Sequence, residues 1–504
     1  MSSSIATDVK DQSSEQAPLV YPFKTRKQNY IYDAATNRIV IVSRPLWLLI
    51  HLIRDGFDPS SAGVKLQGRS RGLTPLEVSR AIRDYNSLRS DGLFSSSRAE
   101  GLRDLLPSGH SDKTYKPQMR QLILELTEEC NMRCKYCAYS DYYPNNRDYS
   151  GTVMTEDVAH AAIDYFLDNS SQEEQPSITF YGGEPLLNMR LLSSCVDYSR
   201  TKLKGRNPRF QLTTNGLALT PKVSRELVDM DMNMLVSVDG PREAHDSNRL
   251  TKSGIGTFDK VMENLRSLRE LHTDYYCSHI GITSVLSPYT DIILAHEFFT
   301  ADELFSTGIL QVSFVNGLHS DYWSKNQPSE EWWDSIEILR AEYYECLVRG
   351  NGPADKFLTA LFQKDLLRLY RRDTYRRFPQ RLPLNGCCEP GARRLYVDVS
   401  GRYHLCERIN QTMPIGSVEN GIDSSLADAV WSDYVKTHQD KCCDCWGSRF
   451  CTRCFARAGE GGMDVPEKQC HGHLKSLERQ LVDYCEIAEL NPLAFSFMDT
   501  IVIA

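Results

Sequence analysis

Hydrophobic positions change their period twice along the chain and divide it into three regions. Between residues 20 and 95, the alternating segments Asn29–Tyr32 and Arg38–Val42 flank Asp33–Asn37, whose Asp and Asn suit a turn, so a β-hairpin is expected. Pro45–Ile53 reads as a short apolar helix. Thr74, placed before Pro75 at a first helical position, opens a helix that runs to about Arg89, and Asp91–Gly92 starts the next turn. From 118 to 350 the pattern becomes buried strands alternating with amphipathic helices. Gln121–Leu126, Ser177–Tyr181, Arg209–Thr213, Met234–Val238, Gly281–Leu286 and Leu310–Val315 read as strands; Thr155–Asp168, Pro221–Met230 and Phe258–Leu271 read as helices between them. Such repetition predicts an α/β fold with a parallel sheet, and six units make a partial (β/α)6 TIM-like barrel open on one side. From 385 to 475 the elements are short and cysteine is dense.

A chain of 504 residues exceeds one ordinary domain. The expected division is a disordered tail over 1–20, a first domain over 21–95, and a Ser-, Arg- and Gly-rich linker over 96–117. The barrel follows over 118–350, then a bridging region over 351–384, a cysteine-rich domain over 385–475 and a C-terminal tail over 476–504, whose apolar end docks on the body. An apolar share of 41% with 25% charged residues is that of a globular protein. A formal charge of -8 offers no basic field, which argues against nucleic acid as a partner. No apolar run reaches the ~20 residues of a membrane span, and the polar start lacks a signal-peptide layout, so no membrane partner and a cytoplasmic location are expected.

Sixteen cysteines change the picture. In a cytoplasmic chain, clustered cysteines read first as metal or redox ligands. Three lie within Cys130–Cys137 and nine between Cys387 and Cys470, while Cys195, Cys277, Cys346 and Cys485 stand alone in apolar or helical surroundings and read as ordinary thiols. Cys130-x3-Cys134-x2-Cys137 follows the first barrel strand, on the face where barrel enzymes place their sites. Four thiolates saturate a [4Fe–4S] cluster; three leave one iron open. Zinc on this triad would need a fourth ligand, and no His lies nearby. Tyr181-Gly182-Gly183-Glu184-Pro185 ends the second strand, Thr214-Asn215-Gly216 the third, and Ser237-Val238-Asp239-Gly240-Pro241 the fourth. Each alone would also make an ordinary strand-to-helix turn.

In this order the pieces resemble the radical S-adenosylmethionine (SAM) enzymes. The resemblance implies that the open iron chelates SAM and that an electron from the cluster releases a 5′-deoxyadenosyl radical. It implies that Tyr136 packs against adenine, that Gly182, Gly183 and Glu184 hold the SAM ammonium, that Asn215 and Ser237 line the cofactor (Ser237 at the ribose), and that Arg249 reaches its carboxylate. Further on, Cys388-x12-Gly401-x4-Cys406, Cys442-x2-Cys445-x5-Cys451-x2-Cys454 and Cys470 resemble the SPASM extension, with the last pair spaced x2 where the family has x3. That extension implies two auxiliary [4Fe–4S] clusters, one on Cys442, Cys445, Cys451 and Cys470, the other on Cys406 and Cys454 with Cys388 or its neighbour Cys387. A zinc ribbon is the competing reading, although its pairs usually stand farther apart.

SPASM enzymes mostly modify peptides. Tyr30–Leu49 resembles the start of ribosomal-peptide maturases, whose winged-helix-like recognition element pairs a leader peptide with a strand edge. The resemblance implies a maturase that forms a cysteine thioether in a precursor peptide bearing a leader, fed by an electron donor such as flavodoxin or ferredoxin. Anaerobic sulfatase maturation to formylglycine, carbon–carbon cross-linking and epimerisation are the alternatives. Glu407, where sulfatase maturases carry Asp, and Asp239 are the positions considered for a general base.

Overall fold

The computed structural model describes residues 16–501 apart from 70–71, 104–118, 144–145, 171–174, 204–205, 318–319, 351–354, 389–392, 409–410 and 458–462. The first strands are β1 (Val20–Lys24), β2 (Asn29–Asp33) and β3 (Arg38–Val42), an antiparallel meander in that spatial order. Three helices follow: α1 (Arg44–Arg54), α2 (Pro59–Arg69) and α3 (Pro75–Ser90). Ser43 caps α1 through Leu46 N–H, and Thr74 and Glu77 close a reciprocal capping box at α3. The expected hairpin and two helices are present; β1 and α2 are additions. In β2, Tyr30, Ile31 and Tyr32 are all buried because the sheet is covered on both faces. Ile31 packs with Leu46, Leu49 and Val78 of the unit's own helices, whereas Tyr30 and Tyr32 pack with Phe450, Leu477 and Leu481 from the far end of the chain.

The linker expected over 96–117 falls partly outside the described residues. Its first part is built into the fold: β4 (Gly101–Leu102) pairs with β11 (Arg381–Leu382), and Ala99 and Leu102 are buried.

The central sheet is ten-stranded. Its parallel run comprises β5 (Gln121–Glu125), β6 (Ser177–Tyr181), β7 (Arg209–Thr214), β8 (Asn233–Ser237), β9 (Ile280–Leu286) and β10 (Leu310–Phe314), adjacent in chain order as expected for strand–helix repeats. Helices such as Glu156–Asp168, capped by Thr155, and Pro221–Asp229, capped by Thr220, return the chain between strands. Leu122, Leu124, Ile178, Phe180, Phe210, Leu212, Met234 and Val236 are buried in the main core. The alternate residues Gln121, Thr179, Gln211 and Asn233 line a cavity of about 470 Å³ with Arg394 and Glu407. These strands therefore have one apolar and one largely polar face, not the uniformly buried character read from their sequences.

One edge of the run is closed by the cysteine-rich region. β12 (Arg394–Val397) pairs parallel to β5, with Leu395 opposite Leu122 and Val397 opposite Leu124. Antiparallel strands β13 (Arg402–His404), β14 (Gly416–Ser417) and β15 (Gly421–Ile422) complete the sheet. Gly401, with φ 80°, forms the β12–β13 turn; a Cβ there would stand 2.8 Å from a Val418 methyl carbon. The region also holds two long helices, Ser424–Cys443 and Glu467–Leu490, in place of the short elements expected. The second carries Cys470 and runs across the expected boundary at 475/476. Beyond it Ala494, Phe495 and Met498 are buried, so the end of the chain docks on the body. Among the described residues no helix is long and apolar enough to cross a membrane.

Candidate active site and cysteine centres

The loops at the C-terminal ends of β5, β6, β7 and β8 meet at one end of the parallel run. After β5 the backbone turns through Thr127 and Glu129 to Cys130, and the β6 loop is laid against it. Gly183 N–H donates to Thr127 O at 2.7 Å and Glu184 N–H to Glu129 O at 2.9 Å. Contact this close explains the paired glycines. Gly182 has φ 136°, and a Cβ on Gly183 would fall 2.2 Å from Glu129 O.

Glu184 is 1% exposed and ties the next loop in. Its carboxylate accepts from Thr214 Oγ1 at 2.8 Å, from Asn215 N–H at 2.7 Å and from Leu186 N–H at 3.1 Å. Burial outweighs these donors and raises the carboxyl to about 7. Asn215 Nδ2 in turn reaches Asn131 Oδ1 at 2.7 Å and Cys130 Sγ at 3.7 Å. Cys130 is buried, its thiol pushed up to about 12 chiefly by desolvation, with the charges of Glu184 and Cys137 adding to the effect. Cys134 is raised by burial and by Cys137 and Cys130, against the pull of Arg249. The three thiols thus lie within reach of one another's charge, near Glu184, Asn215 and Arg249.

Asp239, at the end of β8, is 1% exposed. The Tyr136 hydroxyl donates to it, Arg249 Nε lies 3.0 Å from the same oxygen, and Val285 N–H donates to the other at 3.1 Å. Arg249 also lies over the Tyr136 ring at 5.6 Å. Ser237 is buried beside this group. Both Asp239 oxygens are thus engaged, and the side chain is placed to orient Tyr136 and Arg249. Glu407 is similarly engaged: Arg394 Nη1 donates to its two oxygens at 2.9 and 3.1 Å.

Sequence reasoning missed the group that joins these loops. Arg147, 2% exposed, lies 3.7 Å from Glu125 of β5, and its Nη2 donates to Glu407 O at 2.7 Å. Its guanidinium covers the Tyr396 ring at 4.5 Å, and the Tyr139 hydroxyl donates to Glu125. Arg147 carries no motif or periodicity that would have singled it out; only the fold places it between the first cysteine loop and the segment after Cys406.

The remaining cysteines fall into two groups. Cys442 and Cys445 are pushed up to about 12 and about 11, first by burial and then by one another, Cys451 and Cys470. Cys387 is raised by burial and by Cys454 and Cys388; Cys406 is pushed up to about 12 by burial, Glu407 and Cys454. The structure therefore groups Cys442, Cys445, Cys451 and Cys470, and separately Cys387, Cys388, Cys406 and Cys454. Cys443 is buried in an apolar cluster with Tyr32 and Leu481. Among the described residues no three His, Cys, Asp or Glu side chains converge closely enough to share one metal ion. The corners of an iron–sulfur cluster stand farther apart than the ligands of a single ion. Buried sulfur donors that repel each other as thiolates suit a cationic cluster core, which holds them deprotonated.

Residues 124–291 match the family model described as the Radical SAM superfamily. The chain is 29% identical over 200 residues to an uncharacterised protein of Methanocaldococcus jannaschii, which covers 39% of this chain and 62% of that one. It is 26% identical over 178 residues to a radical SAM cyclopropyl synthase of Paramaledivibacter caminithermalis, covering 34% and 36% of the two chains. With a cysteine-type anaerobic sulfatase-maturating enzyme of Clostridium perfringens it shares 24% identity over 261 residues, 50% of this chain and 67% of that one. The chain thus spans less than two thirds of the first two relatives' own length. A solved structure of native anSMEcpe with bound AdoMet and Cp18Cys peptide superposes with a TM-score of 0.57 at 19% identity, covering 76% of this chain and all of that one. At that identity the likeness concerns the fold, and about a quarter of this chain lies outside it. The matched segment holds the cysteine triad and the Glu184 loop; both cysteine quartets lie beyond residue 291.

Proposed function

We propose that this protein is a radical SAM peptide maturase that joins a cysteine sulfur to a carbon of the same precursor peptide. Cys130, Cys134 and Cys137 would hold the SAM-binding cluster. Cys442, Cys445, Cys451 and Cys470 would hold one auxiliary cluster, and Cys406 and Cys454 with Cys387 or Cys388 the other. When bound, these groups supply an adenosyl radical that removes hydrogen from a peptide carbon and an acceptor for the electron left as sulfur and carbon join. The chain's own residues do the positioning. Glu184, ionised, accepts the SAM ammonium; Tyr136, oriented by Asp239, offers its ring to adenine; Arg249 and Ser237 flank the cofactor.

The observation that carries the reading is the pair of cysteine quartets beside a parallel barrel whose cavity mixes apolar side chains with amides. Gln121, Gln211, Gln311 and Asn233 line that cavity, and their amides can both donate to and accept from a peptide backbone. The N-terminal unit supports leader recognition. β3 is an edge strand whose outer side is unpaired among the described residues, with Ile41 63% exposed, the arrangement that accepts an added strand.

Sulfatase maturation is the second reading, favoured by the superposition on anSMEcpe. Two features weigh against it: the additional N-terminal unit, and the engagement of Glu407 by Arg394. Reconstituted enzyme, SAM, a reductant and a cysteine-rich peptide encoded beside the gene provide the test. Loss of one hydrogen pair per modification, with cysteines that no longer alkylate, is expected. Conversion of cysteine to an aldehyde with loss of sulfur would overturn the maturase reading in favour of the second.

A further inference from the structure

Arg449 lies between Cys445 and Cys451, on the loop assigned above to an auxiliary cluster, yet its side chain serves the other end of the chain. It is 8% exposed. Nε donates to Ala34 O at 2.9 Å and Nη2 to Ala35 O at 3.0 Å, both in the β2–β3 turn. The guanidinium stands over the Tyr375 ring at 4.4 Å. Its neighbours on the loop follow it: Trp446 stacks on Tyr21 of β1 at 4.2 Å, and Phe450 packs on Tyr32 of β2 at 5.5 Å. The turn is gripped again from the bridging segment, where Tyr375 N–H donates to Thr36 O at 2.8 Å and Asn37 Nδ2 to Asp373 O at 2.8 Å. Tyr32 is fully buried and lies within the field of the Cys445 thiol.

A buried guanidinium hydrogen-bonded to two main-chain carbonyls, with Asp33 as the nearby counter-charge, is tolerated only while those groups stay in place. The turn and the cysteine loop are therefore obligate partners. Among the described residues Arg449 makes no contact with the cavity or the first cysteine loop, so peptide or SAM binding does not account for it.

We infer that the N-terminal unit forms one wall of the centre held by Cys442, Cys445, Cys451 and Cys470, and that Arg449 is the positioning residue that ties that wall to the ligand loop. The inference rests on the reading of those four cysteines as cluster ligands. It makes a leader peptide seated on the unit a direct neighbour of the auxiliary centre's support, and it makes the unit something other than a detachable module.

The full-length protein, reconstituted without oxygen, provides the test, with Arg449→Gln, Arg449→Lys and Tyr21→Ala beside the wild type. Iron content, the rate of iron loss to a chelator and the EPR spectrum of the reduced protein are measured, with SAM cleavage as a control on the first centre. Wild type should hold about 12 iron per chain. R449Q and Y21A should release about four of these roughly tenfold faster, the equivalent of one or two lost hydrogen bonds. One auxiliary EPR signal should change while SAM cleavage stays at the wild-type rate, and R449K, which keeps a donor, should recover part of the effect. Tyr21 is only partly buried, so Y21A carries the test if R449Q fails to fold. Wild-type release rates and spectra in R449Q and Y21A would overturn the inference and leave the clusters standing. A wild type holding only about four iron would overturn the cluster reading and the inference with it.

Discussion

Glu184 combines full burial with three hydrogen-bond donors and a carboxyl raised to about 7. The folded protein holds that proton more tightly than the unfolded chain, whose value is the ordinary 4.5. Without SAM, its contribution thus favours the folded state at acid pH and is lost as pH rises through about 7. A bound ammonium group needs the ionised form, so SAM affinity should rise across the same window. E184Q should bind SAM about ten- to a hundredfold more weakly, the loss of one charge-assisted hydrogen bond, and with no such pH dependence. Anaerobic calorimetry at several pH values checks both outcomes. Arg147 raises a different expectation. Arg147→Met would leave Glu125 buried without its cation, which should destabilise the protein by about 3–5 kcal/mol in a denaturant titration.

At the scale of elements, the turn between β6 and the Glu184 loop is set by backbone contact with the cysteine loop. Gly183→Ala would drive a Cβ into Glu129 O, and overpacking of this kind costs about 1–3 kcal/mol. Its specific signature should be iron loss from the first centre, read as weaker SAM cleavage with the auxiliary EPR signals retained. The β5–β12 pairing is the other decisive contact. Leu395 is 0% exposed, and Leu395→Ala should cost about 2–5 kcal/mol. Because β12 shares the barrel's core, a urea titration of L395A should show one transition shifted as a whole, not early loss of the cysteine-rich region alone. The barrel strands and their order were legible because short apolar-rich runs recur between helices, and strand–helix repetition places successive strands side by side. Thr74, before Pro75, announced its helix by residue type. β12 was not legible: four residues, Arg394–Val397, carry too little pattern to show which sheet they join.

At the scale of the molecule, the two ends of the chain share one apolar cluster in which Tyr30 and Tyr32 meet Phe450, Leu477 and Leu481. Deleting residues 1–110 would strip that cluster and expose Trp446 and Phe450. Such a deletion should precipitate or lose auxiliary iron, in addition to losing any bound leader. Light scattering with iron analysis checks this, and leader recognition is better tested by point changes on the outer edge of β3, such as Ile41→Pro. The N-terminal unit therefore belongs to the same folded body as the cysteine-rich region, although Ala34 and Arg449 stand 415 positions apart in sequence.

Local chemistry was written in the sequence. The cysteine spacings, the glycine pair before Glu184, Gly401 and the strand–helix period each act within a few residues, where covalent spacing and backbone sterics decide the outcome. Tertiary structure alone decided which distant groups meet. Nothing in the sequence shows that Asp239 is occupied by Arg249 and Tyr136, that Glu407 is occupied by Arg394, or that Arg147 bridges two cysteine loops. The placement of Arg449 on the turn at Ala34 and Ala35 is of the same kind. Such pairings arise from long-range burial, where a charged side chain takes whatever partner the fold brings beside it.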